Sequence, residues 1–158
     1  MKRFDAVKGF MDTITTELVV SSAGMISREV YAIRDRRENF YVQGSMGATL
    51  GIGIGIALNT TRDVVVLSGD GDILMGLGTL VLMSKLKLPN LELVIVDNNS
   101  YQTTGGQKTC SDAVDFTSIC DHKVKVIKID DNSGSNIGRI DIPHREITGR
   151  FRNAVCMQ

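Results

Sequence analysis

Two apolar runs constrain what this chain can fold into more than any other feature. Val64-Val65-Val66-Leu67 is wholly apolar, and residues 91–96 are broken only by Glu92. A strand covered on one face alternates apolar with polar residues. Runs without that alternation, rich in β-branched residues, are strands buried on both faces of a parallel sheet. Between the two runs, residues 73–88 read as helix, stopped by Pro89 and Asn90. Strand, helix and strand in that order predict an α/β architecture.

The rest of the chain continues the alternation. Phe4, Val7, Phe10, Met11, Ile14 and Leu18 recur near helical spacing, residues 18–21 and 40–42 read as short strands, and residues 27–34 read as helix. Residues 44–47 form a loop leading into a helix that ends near Asn59. Gly47, Gly51 and Gly55 give that helix a smooth face for close packing. Gly51-Ile52-Gly53-Ile54-Gly55 mimics a dinucleotide fingerprint, but no strand feeds directly into it. Residues 124–129 alternate apolar with Lys, as a sheet-edge strand does. Residues 131–136 are turn-rich, and Pro143 opens a final helix carrying Ile147, Phe151 and Val155. The prediction is one three-layer α/β domain over residues 1–158, with a mainly parallel sheet flanked by helices. Ligands in such sheets sit at the carboxyl ends of strands. The loops over residues 44–47, 69–72 and 97–107 all follow strands, so they should cluster on one edge.

Composition narrows the function. The 158 residues carry 18 basic and 18 acidic side chains, with no basic stripe for nucleic acid or a membrane surface. The run Arg34-Asp35-Arg36-Arg37-Glu38 alternates in sign, as a solvated helix end does. No apolar run reaches the roughly 18–20 residues of a membrane span. Cys110, Cys120 and Cys156 are an odd set without metal spacing, which suits reduced thiols and a cytoplasmic protein. His122 and His144 are isolated and read as structural or surface residues.

The chemistry concentrates at Gly69-Asp70-Gly71-Asp72, between the first apolar strand and its helix. Glycines allow close backbone approach, and a helix start offers unpaired N–H groups to an anion such as a diphosphate. Asp70 would repel that anion unless a cation lay between them. Mg²⁺, hard and oxygen-seeking, is the natural bridge. The second apolar strand ends in Asp97-Asn98-Asn99, and 26 residues separate Gly71 from Asn98, enough for one helix and the returning strand. An Asn carbonyl is a neutral hard ligand, so Asp70 and Asn98 are expected to share one ion, with a nearby backbone carbonyl. Two ordinary turns are the alternative reading.

Gly69-Asp70-Gly71 followed at this distance by Asn98 resembles the metal-binding motif of the thiamine-diphosphate-dependent enzymes. The resemblance implies thiamine diphosphate with Mg²⁺ held by Asp70, the Asn98 side chain and the Ser100 carbonyl, with Asn99 competing for the place of Asn98. It makes Gly44, Ser45, Met46, Gly69, Asp70, Gly71, Asp72, Asn98, Ser100, Tyr101 and Thr103 the expected cofactor contacts. The Gly44 carbonyl would accept from the pyrimidine amino group, and Met46 would wedge the cofactor into its bent shape. Judged on its chemistry alone, Met46 reads more readily as a core gap-filler.

Within that family the chain is most similar to the decarboxylases of sulfopyruvate and phosphonopyruvate, through residues 40–47, 68–75, 96–107 and 142–151. Asp72 stands where small residues are common, and residues 120–130 look shortened. The family's activating glutamate lies on a separate pyrimidine-binding domain, and Glu17, Glu29, Glu38, Glu92 and Glu146 stand in poor contexts for it. The chain is therefore expected to be one subunit of a hetero-oligomeric 2-oxoacid decarboxylase, anchoring the diphosphate and Mg²⁺ while a pyrimidine-binding partner subunit completes the cleft. Thr103, Thr104 and Gln107 would either close as a polar lid or form an ordinary surface loop. Two alternatives stand beside this reading. One is a subunit of another thiamine enzyme, either a carboligase or a 2-oxoacid oxidoreductase. The other is a non-catalytic Mg²⁺- and phosphate-binding module, against which residues 44–47 argue because a nucleotide needs no wedge.

Overall fold

In the computed structural model, which describes residues 1–130 and 136–156, Val64–Gly69 and Leu91–Asp97 pair in parallel at the heart of the main sheet. Among the described residues the strands are β1 (Leu18–Ser21), β2 (Asn39–Tyr41), β3 (Val64–Gly69), β4 (Leu91–Asp97), β5 (Ser100–Tyr101), β6 (Gln107–Lys108) and β7 (Val124–Lys128). Five of them form one sheet in the order β2-β1-β3-β4-β7, with every pair parallel. β5 and β6 make a small separate antiparallel hairpin. The helices are α1 (Arg3–Thr13), α2 (Met25–Ile33), α3 (Thr49–Ala57), α4 (Asp70–Met75), α5 (Leu77–Leu86), α6 (Phe116–Ile119) and α7 (His144–Cys156).

Successive side chains of a strand point to opposite faces, and the central strands are apolar on both. Leu18, Val20, Val64, Val66, Leu93 and Ile95 pack on one side against Leu50 and Ile54 of α3 and Leu80 and Met83 of α5. Val19, Val65, Leu67, Val94 and Val96 pack on the other against Ala6, Val7 and Met11 of α1 and Ile26 and Val30 of α2. This is the expected three-layer fold. Each fully buried aliphatic side chain contributes about 1.5–3 kcal/mol, so the layers are held mainly by these two clusters. β7 lies at the sheet edge with its lysines exposed, as its alternation predicted. The turn-rich segment expected over residues 131–136 falls, except for Asn136, outside the described residues.

Several boundaries differ from the sequence reading, each for a tertiary reason. α1 ends at Thr13, and Leu18 opens β1 instead of closing the helix. Residues 73–88 are not one helix. α4 begins already at Asp70, and Gly76 separates it from α5. A Cβ on Gly76 would stand 2.1 Å from the Gly47 carbonyl oxygen, so the break is where the 44–47 loop presses backbone to backbone on the helix. In α3 the tight approach is at Gly53, whose absent Cβ would meet Val66 Cγ2 at 2.2 Å, while Gly55 faces open space. Residues 34–38 are more than a solvated helix end. Arg34 donates to the carbonyls of Met11 and Ile14 at 2.7 and 2.6 Å, and Asp35 accepts from the Tyr41 hydroxyl at 2.6 Å.

Candidate functional site

Because β1 to β4 run parallel, the segments that follow them emerge on one edge. There the structure opens a cleft lined by Met46, residues 69–72, Asn98, Ser100, Tyr101 and Thr103. Gly44 and Ser45 are not among its walls. They line a neighbouring hollow between β2 and α7. Thr104 and Gln107 are exposed on the β5–β6 hairpin rather than in the cleft. A larger cavity of about 500 Å³ lies at the opposite ends of β3 and β4, against α1. None of the glycine-rich loops reaches it.

Asp70 is the centre of the cleft. It is 1% exposed, and Thr109 donates its hydroxyl to Asp70 Oδ2. No basic side chain among the described residues forms an ion pair with it. Burial pushes its pKa above the ordinary carboxylate range, and the nearby charge of Asp97 adds to the rise. Asp97 is treated differently. Burial acts on it too, but Lys128 donates to Oδ2 and Ser111 donates to Oδ1 at 2.8 Å, which holds its pKa low. One buried carboxylate is thus matched with a cation and its neighbour is not.

The loop after β4 sets the remaining donors. Asn99 adopts φ +50, and its Oδ1 lies 3.2 Å from the Thr109 hydroxyl. Asn98 and Ser100 line the cleft. Asn98 Oδ1 accepts from the Ser100 N–H at 3.2 Å, and Asn99 meets the same Thr109 hydroxyl that donates to Asp70, so both asparagines lie near that carboxylate. Among the described residues no three His, Cys, Asp or Glu side chains cluster as a metal site. A cation here would therefore rest on one carboxylate, neutral oxygens and a bound anion, which suits Mg²⁺ rather than zinc. Two helix starts, α2 and α4, reach the same cleft without side-chain caps, leaving N–H groups for an anion.

Asp72 does not face the cleft with a free carboxylate. Its Oδ1 accepts from the Gly47 N–H at 2.7 Å, and its Oδ2 accepts from the Ser68 hydroxyl at 2.7 Å. It ties the 44–47 loop to the start of α4, just as the Gly76 contact ties it to the end. Met46 is consequently held over Gly71. A Cβ on Gly71 would lie 3.2 Å from Met46 Cε and 2.4 Å from Tyr101 Cε1, so Gly71 must remain bare for both to approach. Met46 is 44% exposed, which sets aside the reading of it as core. Asp72→Ala is expected to free the loop and to weaken, about tenfold or more, binding of the thiamine diphosphate that the motif resemblance implies, the scale of losing a supporting hydrogen bond behind a ligand. Asp72→Asn, which can still accept from Gly47, should recover most of that loss. Calorimetric titration of both variants checks this, and equal affinities would remove Asp72 from the site's support.

Sequence reasoning missed Thr109 and Arg3. Thr109 reaches Asp70 across 39 positions. Arg3, also in the cleft wall, is buried in a two-pronged pair with Glu29 at 2.9–3.1 Å and donates to Gln102. Neither contact leaves a local pattern. The Ser68–Asp72 pair, four residues apart across a strand–helix junction, was findable.

Residues 20–158 match the family model for the thiamine pyrophosphate enzyme C-terminal TPP-binding domain. The chain belongs to that family. Its relatives include the sulfopyruvate decarboxylase subunit beta of Methanothermobacter thermautotrophicus, 43% identical over 121 residues, covering 77% of this chain and 65% of that one. The phosphonopyruvate decarboxylase of Streptomyces viridochromogenes is 45% identical over 101 residues, 64% of this chain and 25% of that protein. The chain thus spans about two thirds or less of the curated relatives it matches. A solved structure described as a thiamin diphosphate-dependent enzyme from Mycobacterium smegmatis superposes with a TM-score of 0.58 at 19% identity, over 77% of this chain and 25% of that one. That likeness speaks for the fold. Among the described residues no helix is long and apolar enough to cross a membrane.

Proposed function

We propose that this domain anchors thiamine diphosphate through Mg²⁺ on Asp70, Asn98 and the Ser100 carbonyl, as one subunit of a decarboxylase acting on a short anionic 2-oxoacid of the sulfopyruvate or phosphonopyruvate kind. The observation that carries the reading is Asp70: a buried carboxylate with no basic partner, between two uncapped helix starts and beside a neutral amide. That geometry is unfavourable when empty and complementary to a cation bridging to a diphosphate. When bound, thiamine diphosphate supplies a sink for the electron pair released as CO₂ leaves a 2-oxoacid. The chain's own residues hold the phosphate end, exclude water with Tyr101 and Met46, and set the cofactor's bend.

The substrate class is supported by the names of the relatives at 43% and 45% identity. The partner is supported by the word subunit in one of those names and by the cleft itself. No glutamate lines it among the described residues. Glu29 is buried against Arg3, while Glu17 and Glu92 lie at the opposite end of the sheet. An activating glutamate would come from a pyrimidine-binding partner, across an interface that encloses the cofactor. CO₂ release from sulfopyruvate and phosphonopyruvate, with cofactor and Mg²⁺, tests this with and without such a partner. Turnover is expected only in the assembled complex. Robust turnover by the chain alone overturns the partner, and a complex inert toward every 2-oxoacid overturns the decarboxylase.

A further inference from the structure

Beside the cofactor cleft lies a second cavity, about 340 Å³, whose walls are cationic. Gly24, Ser27 and Arg28 at the start of α2, Gln43 after β2, Thr103 and Arg139 line it, and no carboxylate does. Thr103 belongs to both linings, so the two hollows share a wall. Gly24 makes that wall thin: a Cβ there would stand 3.4 Å from Thr103 Cγ2. Gln43 immediately precedes the loop that carries Met46.

Several other arginines are committed elsewhere. Arg3, Arg37 and Arg150 are each matched to a carboxylate, and Arg34 and Arg62 donate to carbonyls. Arg28, half-buried, and Arg139, exposed, make no ion pair with a described residue. Two guanidinium groups on one concavity without a carboxylate in its lining make a cationic hollow that an anion would complement. Their planar forks suit a tetrahedral oxyanion such as a phosphonate or sulfonate.

We infer that Arg28 and Arg139 form the subsite that holds the terminal sulfonate or phosphonate of the substrate while its 2-oxo group lies in the adjoining cleft. The inference rests on the decarboxylase reading above. It also accounts for how a short substrate is told from pyruvate, which lacks the second anion.

The test uses the complex assembled with its partner, thiamine diphosphate and Mg²⁺, comparing wild type with Arg28→Gln and Arg139→Gln. For sulfopyruvate or phosphonopyruvate, kcat/KM should fall about tenfold to a hundredfold in each variant, the scale of one lost charge-assisted contact. The loss should appear mainly in KM. For pyruvate kcat/KM should be unchanged, and so should the cofactor's dissociation constant. Equal losses for anionic substrate and pyruvate, together with weaker cofactor binding, would assign the arginines to the cofactor's diphosphate and overturn the inference. No loss for either substrate would overturn it as well. Calorimetric binding of 3-phosphonopropionate, an unreactive dianion, to the same complexes separates the inference from the decarboxylase reading. If wild type turns over no 2-oxoacid, that reading fails by itself. The subsite still stands if the dianion binds wild type at least tenfold more tightly than the variants, and falls if it does not.

Discussion

Asp70→Ala is expected to abolish magnesium-dependent binding of thiamine diphosphate and to leave the domain folded. The size of the effect follows from the role. Among the described residues Asp70 is the one carboxylate of the cleft not committed to other partners in this way, since Asp72 is tied to Gly47 and Ser68 and Asp97 to Lys128. Losing a residue that merely supports a metal ligand costs about 10–100-fold in affinity, and losing the carboxylate itself costs more. Stability moves the other way. Burial raises the pKa of Asp70, so the folded state binds its proton more tightly than the unfolded chain does. The stability of the cation-free domain therefore declines as pH rises from the unfolded pKa through the raised folded one, and the full cost is present above the latter. The alanine variant lacks that decline and should melt no lower than wild type by more than the loss of the Thr109 hydrogen bond. Calorimetry with and without EDTA and melting curves across pH measure both. Wild-type cofactor affinity in the variant would remove Asp70 from the metal site.

Met46 gives the second large effect, on rate rather than affinity. Its side chain leans over Gly71 from a loop fixed at both ends of α4, so a bulky apolar group of similar volume should do its work. Met46→Leu is expected to keep most of the turnover of the assembled decarboxylase, because volume-conserving swaps are mild. Met46→Ala should lose about tenfold or more, since misplacing reacting groups by a fraction of an ångström is costly. At 44% exposure the truncation should change stability by no more than about 1 kcal/mol. Normal turnover in a folded alanine variant would reduce Met46 to loop packing.

The fold was largely legible because its signals are local. Val64 to Leu67 and residues 91–96 announce doubly buried strands, and the glycine-rich segments after them mark the working edge. What was illegible depends on contacts far apart in sequence. Gly76 breaks a helix because Gly47 presses on it. That Asp72 accepts from Gly47 as well as from nearby Ser68 is likewise not written in any local pattern. The resemblance leans toward Asn98 over Asn99 through the position of Tyr101; no sequence pattern shows that Asn99 shares the Thr109 hydroxyl with Asp70. Thr109, Arg3 and the Arg28–Arg139 cavity all join elements that no periodicity links.

The metal is the centre of the proposal, and Mn²⁺ in place of Mg²⁺ makes it directly visible. In crystals of the domain with its partner, thiamine diphosphate and Mn²⁺, anomalous diffraction should give one peak between Asp70 and Asn98. The ion should be bound by the Asp70 carboxylate, the Asn98 side-chain oxygen, the Ser100 carbonyl and the cofactor's diphosphate, at the short distances of about 2.0–2.2 Å typical of small hard cations. A peak ligated by Asn99 instead, or a cofactor bound with no ion at Asp70, contradicts it.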